Sequence, residues 1–438
     1  MARADVAVVG AGLAGLTAAI RLAQAGARVH VLATGHAASH WAPGGVDIGA
    51  LPGEATAQAS VDRLEAITGH PYALVAGHLP DALGWLRRTL ADEGLPIVGE
   101  AGDPLRAVPT SIGATRRVAI VPDGVAAALP AWAPGEGLVV CGPAGFRDFW
   151  PEAIAEGLRV AAAWRGDSRP ERIEAVSVEL PGLAGRHNLS GLDLARLFDD
   201  PAWRSAALDA IARAVDGRLA DGGRLALPAV LGLDDHAGVL AAARARLPLP
   251  VFEVGLLPPS VPGLRRFGAL RATLRRAGGR LQVGEAATGT IGPDGQVTEL
   301  RVPAAARTFV LSAGSVILAT GGISGGGLAA DGPGSLVETV LGLPVEAPPG
   351  DAWLRADPFD PAGHPLESAG IRTDTRLRPV MPGGADEPRT GNVRVVGSLL
   401  AGQRYLRQGC GDGVAIASAT LVAGELAGAV PAAAGAGR

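Results

Sequence analysis

Gly10-Ala11-Gly12-Leu13-Ala14-Gly15 is a GxGxxG run, and the chemistry open to such a run is the binding of phosphate. Its first glycine permits a sharp turn, its second lets the backbone approach a pyrophosphate, and its third lets a helix pack close to a strand. A helix starting there also turns unpaired N–H groups and the positive end of its dipole toward the anion. The acid that usually accepts from a ribose 2′-OH, ~20 residues further on, is missing. Instead Val29-His30-Val31-Leu32 runs into Ala33-Thr34-Gly35. Either the ribose is held otherwise, with Thr34 available for one hydrogen bond, or the cofactor is a mononucleotide without the adenosine half. Catalysis by proton transfer requires an acceptor, and holding an anionic substrate requires cations. His40 is the candidate acceptor; the alternative for it is packing beneath a cofactor ring. Arg404, Arg407 and Arg372 are the candidate cations, with solvated surface or a contact between subunits as the alternative.

Composition removes several other chemistries. All 39 basic residues are arginine, so a Schiff-base lysine and a Walker A lysine are both excluded. Cys141 and Cys410 stand far apart with no CxxC or Cys/His cluster, so no metal or iron–sulfur centre is expected within the chain. Cys410 reads as a buried thiol rather than a redox group. A net charge of −4 gives no sign of nucleic-acid binding. No apolar run approaches the ~20 residues of a membrane span, and the chain enters a strand too soon for a signal peptide. A cytoplasmic protein with no direct membrane insertion is therefore expected.

The elements that must position these residues form an α/β chain. Strand 5–9, helix 13–25 and strand 28–32 make a βαβ opening, with Gly26 ending the helix. The opening portion of a Rossmann-like, discontinuous nucleotide-binding domain is expected over residues 1–102. An inserted α+β cap domain is expected over 103–262, with the prolines of Pro258 to Gly263 as its exit hinge. The nucleotide domain resumes at 263–325, with a helix over 264–277 and strands at 282–284 and 296–302 joined by a turn at Pro293-Asp294-Gly295. A second cap excursion spans 326–375. The closing portion of the nucleotide domain, 376–438, carries a strand ending at Gly397 and a last helix from Gly413.

Two later segments resemble those of two-domain flavoproteins. Val316-Ile317-Leu318-Ala319-Thr320-Gly321-Gly322 is similar to their ATGG strand end, and Val395-Val396-Gly397-Ser398 with Gly411-Asp412-Gly413 is similar to their C-terminal flavin motif. That resemblance implies a flavin held by Gly10, Gly12, Gly15, Thr34, Gly44, Gly45, Thr320, Gly321, Gly397, Gly411, Asp412 and Gly413. It also implies a last helix whose N-terminus steadies charge on the reduced ring.

A closer resemblance rests on His40-Trp41-Ala42-Pro43-Gly44-Gly45-Val46-Asp47-Ile48, His70-Pro71-Tyr72, Leu257-Pro258-Pro259-Ser260-Val261 and Gln408-Gly409-Cys410-Gly411 with Gly413-Val414. Across nearly the whole length the chain resembles the B subunits of anaerobic glycerol-3-phosphate dehydrogenases. The resemblance implies a complex of three subunits in which glycerol 3-phosphate becomes dihydroxyacetone phosphate and electrons pass to a quinone. It implies FMN, with FAD as the alternative. The implied partners are the catalytic A subunit of the complex together with its iron–sulfur C subunit. Through the latter the chain would attach peripherally to the inner face of the cell membrane. Gln403-Arg404-Tyr405 departs from the Phe-Asp-Pro-like run of that family. Two readings stay open beside it: a stand-alone FAD-dependent reductase of the fumarate-reductase type, and a non-catalytic scaffold within the complex.

Overall fold

The computed structural model describes residues 2–428 except 162–167, 187, 220–221, 304–307, 333 and 383–386. The chain opens with β1 (Ala2–Val9), α1 (Leu13–Gln24) and β2 (Val29–Ala33), then α2 (Ala57–Glu65), α3 (Tyr72–Val75) and α4 (Leu79–Ala91). Four short strands follow: β3 (Ile97–Val98), β4 (Arg106–Pro109), β5 (Thr115–Val118) and β6 (Val121–Pro122). Next come β7 (Gly137–Pro143), α5 (Pro151–Val160), β8 (Arg172–Val178), α6 (Gly191–Asp199) and α7 (Pro201–Val215). They continue into β9 (Gly223–Pro228), α8 (His236–Arg246) and β10 (Val251–Val254). The remainder holds α9 (Val261–Arg276), β11 (Arg280–Val283), β12 (Thr288–Gly289), β13 (Glu299–Val302), β14 (Phe309–Leu318), β15 (Leu328–Ala330) and β16 (Leu336–Glu338). It closes with β17 (Val393–Val395), α10 (Tyr405–Gln408) and α11 (Gly411–Ala427).

Segments far apart in sequence build the first sheet. β1 runs parallel to both β2 and β14, β11 adds parallel to β2, and β17 adds parallel to β14. These strands read as continuous apolar runs because helices cover them: α1 and α11 pack on each other, and α4 packs on α11. Ala18, Ala19, Ile20 and Leu22 of α1 and Val414, Ile416, Ala417 and Ala419 of α11 lie in that core. Small side chains let the two helices sit close.

A second hydrophobic core spans residues 107–261. The region expected as an α+β cap has both pairing directions: its four-stranded sheet, ordered β10-β9-β7-β8, is parallel, while β4 pairs antiparallel with β5. Helices α5 to α8 supply the crossovers, as parallel pairing requires. The strand candidates were legible singly, but pairing direction is a non-local property.

Two further local expectations change. Pro262 and Gly263 lie inside the first turn of α9, which Ser260 caps by accepting the Gly263 N–H through its Oγ. Proline belongs there, because a first-turn N–H has no helical partner in any case. The turn at Pro293-Asp294-Gly295 joins β12 to β13, while the strand expected at 282–284 is β11, an edge strand on β2. No helix among the described residues is long and apolar enough to cross a membrane.

Candidate functional site

The C-terminal ends of β1, β2 and β14 converge on a cleft of about 650 Å³, lined by Gly10, Ala11, Thr34, Ala287, Thr320 and Val340 among others. Its geometry follows from two glycines. Gly10 sits at φ +113, and a Cβ there would overlap the Ala319 carbonyl of β14. A Cβ on Gly15 would overlap the Gly10 carbonyl, so its absence seats α1 against the strands. Gly12 is different: a Cβ there would meet only the Ala37 Cβ, at 3.5 Å. That position faces free space, where a phosphate can approach. The first turn of α1 has no side-chain cap and no acidic residue, so its initial N–H groups remain available to an anion.

The residues of this cleft fit a nucleotide cofactor. Thr320 Oγ1 is buried there without a partner, the kind of orphan a bound polar ligand satisfies. Beyond the phosphate end, Thr34, Ala286 and Ala287 also line the cleft, so open space adjoins the end of β2 although the ribose acid is missing.

The remaining expected cofactor residues lie elsewhere. Gly321 follows Thr320, and the Gly322 N–H donates to Ser398 Oγ at 3.2 Å. Gly397 sits between α1 and α11, its N–H donating to Ser418 Oγ at 3.0 Å and its carbonyl accepting from the buried Gln403 Nε2 at 3.0 Å. Gln403, where the family run departs, is therefore a brace for the Gly397 turn.

The N-terminus of α11 is not open. The Gly413 N–H donates to the Asp47 carbonyl at 2.9 Å, and the Asp412 carboxylate accepts the Asp47 N–H at 3.2 Å. The segment Gly44 to Ile48 lies across this end of α11 and takes up the Gly413 N–H. Gly411 sits against the Tyr405 ring, and Gly413 faces the Tyr72 hydroxyl. That hydroxyl donates to the Ile48 carbonyl at 2.6 Å, and burial pushes its pKa well up.

Sequence reasoning missed the clamps on this segment. Arg116 pairs with Asp47 at 2.8 Å, while the buried Arg266 Nη1 donates to the Gly45 carbonyl at 3.1 Å and reaches Asp412 at 3.3 Å. Ser260 donates through its N–H to the His40 carbonyl and through its Oγ to the Ala42 carbonyl, both at 2.6 Å. The available signal was a pair of arginines, Arg265 and Arg266, on the otherwise apolar face of α9, where unpaired charge is costly.

The expected catalytic set does not assemble. His40 stacks on His36 with centroids 4.2 Å apart, its Nε2 is buried without a partner, and its pKa is lowered by burial and then by His36. Arg407 is paired with Glu367 at 2.8 Å, and Arg404 donates to the Ala362 carbonyl at 2.9 Å. These two belong to a different wall, around α10, and the Arg372 backbone carbonyl accepts the Val380 N–H. Burial pushes the Cys410 thiol up to about 12, so at neutral pH it is a thiol and not a nucleophilic thiolate. No cluster of potential metal ligands occurs among the described residues.

Comparison with known proteins accords with this geometry. The model of the FAD binding domain family matches residues 5–414. The chain is 31% identical over 439 residues to the B subunit of the anaerobic glycerol-3-phosphate dehydrogenase of Yersinia pestis bv. Antiqua (strain Antiqua), covering 96% of this chain and 97% of the relative. It is 29% identical over 435 residues to the corresponding protein of Vibrio cholerae serotype O1, covering 95% and 94% respectively. Among solved structures it is similar to 3-ketosteroid delta1-dehydrogenase from Sterolibacterium denitrificans, with a TM-score of 0.45, 12% identity, and coverage of 98% and 100%. The chain belongs to the FAD binding domain family of flavin oxidoreductases and, within it, groups with the B subunits of anaerobic glycerol-3-phosphate dehydrogenase.

Proposed function

We propose that this chain is the FAD-carrying subunit of an anaerobic sn-glycerol-3-phosphate dehydrogenase that yields dihydroxyacetone phosphate and passes electrons to a quinone. The observation that carries this reading is a phosphate cradle at Gly10 and Gly12 beside an open cleft, in a chain that matches the FAD binding domain family over residues 5–414 and is similar to those B subunits from end to end. Gly10, Gly12 and the first turn of α1 would hold the pyrophosphate, Thr34 the ribose, and Thr320 a further oxygen of the cofactor. FAD, when bound, supplies two-electron acceptance. The chain's own residues orient it and keep water from it through the clamped segment 40–48. The partners in this reading are a catalytic A subunit, which shares the complex, together with an iron–sulfur C subunit, which provides the link to the membrane.

The test is to purify the chain natively and identify the flavin released on denaturation. About one FAD per chain supports the reading, and FMN would restore the mononucleotide alternative. A folded, colourless protein that takes up no added flavin would overturn it.

A second reading of the division of labour is favoured by the dispersal of His40, Arg404 and Arg407. In it the alcohol is oxidised on the A subunit, while this chain relays the electrons. Anaerobic addition of glycerol 3-phosphate to the isolated, FAD-loaded chain separates the two: bleaching of the flavin places oxidation here, and an unchanged spectrum places it on the partner.

A further inference from the structure

A second cleft, separate from the nucleotide cleft, opens between the two cores with a cavity volume of about 120 Å³. One wall is α8, through Ala237, Leu240 and Ala241; the other is the segment from Leu90 to Ile97. Gly44, Pro262, Arg265 and Arg266 also line it, so it reaches the clamped segment directly. The walls are apolar, and the small side chains of Ala237 and Ala241 are exposed at the rim.

The polar groups inside are almost all committed. Arg265 is held by Glu253 at 2.8 and 3.0 Å and by the Gly232 carbonyl at 2.7 Å, and Arg244 is paired with Asp123 at 2.7 Å. The His236 Nδ1 is 2.7 Å from the Leu231 carbonyl, and its Nε2 lies toward Glu253 at 3.8 Å. Two orphans remain: Arg266, 5% exposed and bonded through Nη1, keeps a buried Nε–H with no acceptor, and the buried His236 Nε2 has no hydrogen-bond partner. Arginine can only donate, so the Arg266 Nε–H calls for an oxygen acceptor, while His236, whose Nδ1 donates to the Leu231 carbonyl, leaves Nε2 able to accept. A dianionic phosphate is disfavoured, because Glu253, Asp123 and Asp412 already neutralise the three guanidiniums and would repel it.

We propose that this inter-core cleft is a second small-molecule site, for an apolar ligand that presents one carbonyl or carboxylate oxygen to Arg266. Its nearness to the cofactor rests on the proposed FAD reading; the binding itself does not. The ligand is thereby distinguished from the polyol phosphate by polarity. Apolar contact with both walls supplies affinity, and the buried donor fixes orientation.

The test uses the full chain, with and without FAD, titrated calorimetrically with menadione and with decanoate. Binding of menadione identifies a carbonyl head and binding of decanoate a carboxylate head; either supports the site. Ala241→Trp fills the rim from an exposed helix position, and at least a tenfold loss of affinity is expected with FAD content unchanged. Arg266→Met should weaken the same ligand about tenfold if it folds. The proposal is overturned if neither probe binds, if Ala241→Trp leaves affinity intact, or if glycerol 3-phosphate displaces the bound probe. Failure of the FAD reading shows separately, as absent flavin, while the titration of the flavin-free chain still reports on the cleft.

Discussion

Two helices of the first domain begin in glycine-rich sequence, and their beginnings have opposite fates. At α1 the first turn carries no acid and no cap, and Gly12 faces free space. At α11 the helix brings its own acid, Asp412, and the backbone of Asp47 occupies the space before it. The same residue type does different work in each place. Gly12 preserves a vacancy for a ligand, and Gly413 permits a close contact between segments of one chain. What separates a binding turn from a packing turn is the company of the glycine: at α11 a neighbouring backbone, that of Asp47, takes the first-turn N–H that α1 leaves free.

The largest expected effect breaks the symmetry outright. Gly12→Asp should lose flavin binding by more than about 100-fold, since a carboxylate at the phosphate position adds repulsion and bulk. Thermal stability of the flavin-free protein should stay near that of the parent, because a Cβ there meets only Ala37. Flavin-to-protein ratio and melting temperature, read together, check both halves. A variant that retains full flavin would remove the cradle assignment.

Gly413→Ala should behave in the opposite way. The added methyl collides with the Tyr72 hydroxyl, and overpacking of this kind costs about 1–3 kcal/mol. Chemical denaturation of the flavin-free protein should show the loss. Tyr72→Phe should recover a fraction of it in the double variant, although the Ile48 carbonyl then lacks its donor.

The α11 region should also respond to acid where the α1 turn does not. His70 Nδ1 accepts the Tyr72 N–H at 3.1 Å, and burial lowers its pKa from 6.5 to about 4. The unfolded chain takes up this proton below about 6.5 and the folded chain only near 4. Stability from this group is thus complete above pH 6.5 and lost as pH falls toward 4, up to about 3 kcal/mol. Denaturation midpoints across that window should fall less steeply in His70→Asn, which keeps an acceptor for the Tyr72 N–H. Equal slopes would show that His70 is not the titrating group. The smallest effect belongs to the α10 wall: Arg407→Ala removes a half-exposed pair with Glu367 and should cost below about 1 kcal/mol, with flavin content unchanged.

The opening strand, turn and helix were legible because their signals are local: apolar runs of the right period and glycines at the turn. Thr34 was legible as the end of β2 for the same reason. The parallel sheet of the second core was not, since neither β7 nor β9 carries in its own residues the direction of its partner. Nor was the filling of the α11 start, which depends on Asp47 arriving from 365 residues away. Arg116 escaped notice because an arginine in a chain with 39 basic residues gives no signal of burial, and Arg266 because its one signal, a place on the apolar face of α9, requires the helix face to be read first. The arginines that were singled out near Gly411 proved to be engaged with Glu367 and Ala362. Sequence proximity to a motif is a weak guide to which side chains enter a site.

The buried bond between Glu253 at the end of β10 and Arg265 of α9 ties the two cores together where the chain passes between them. Each of the two side chains is at most 4% exposed, so any movement of one core away from the other would have to part this pair and wet both charges. Glu253 and Arg265 thus act as a rivet at the seam between the cores.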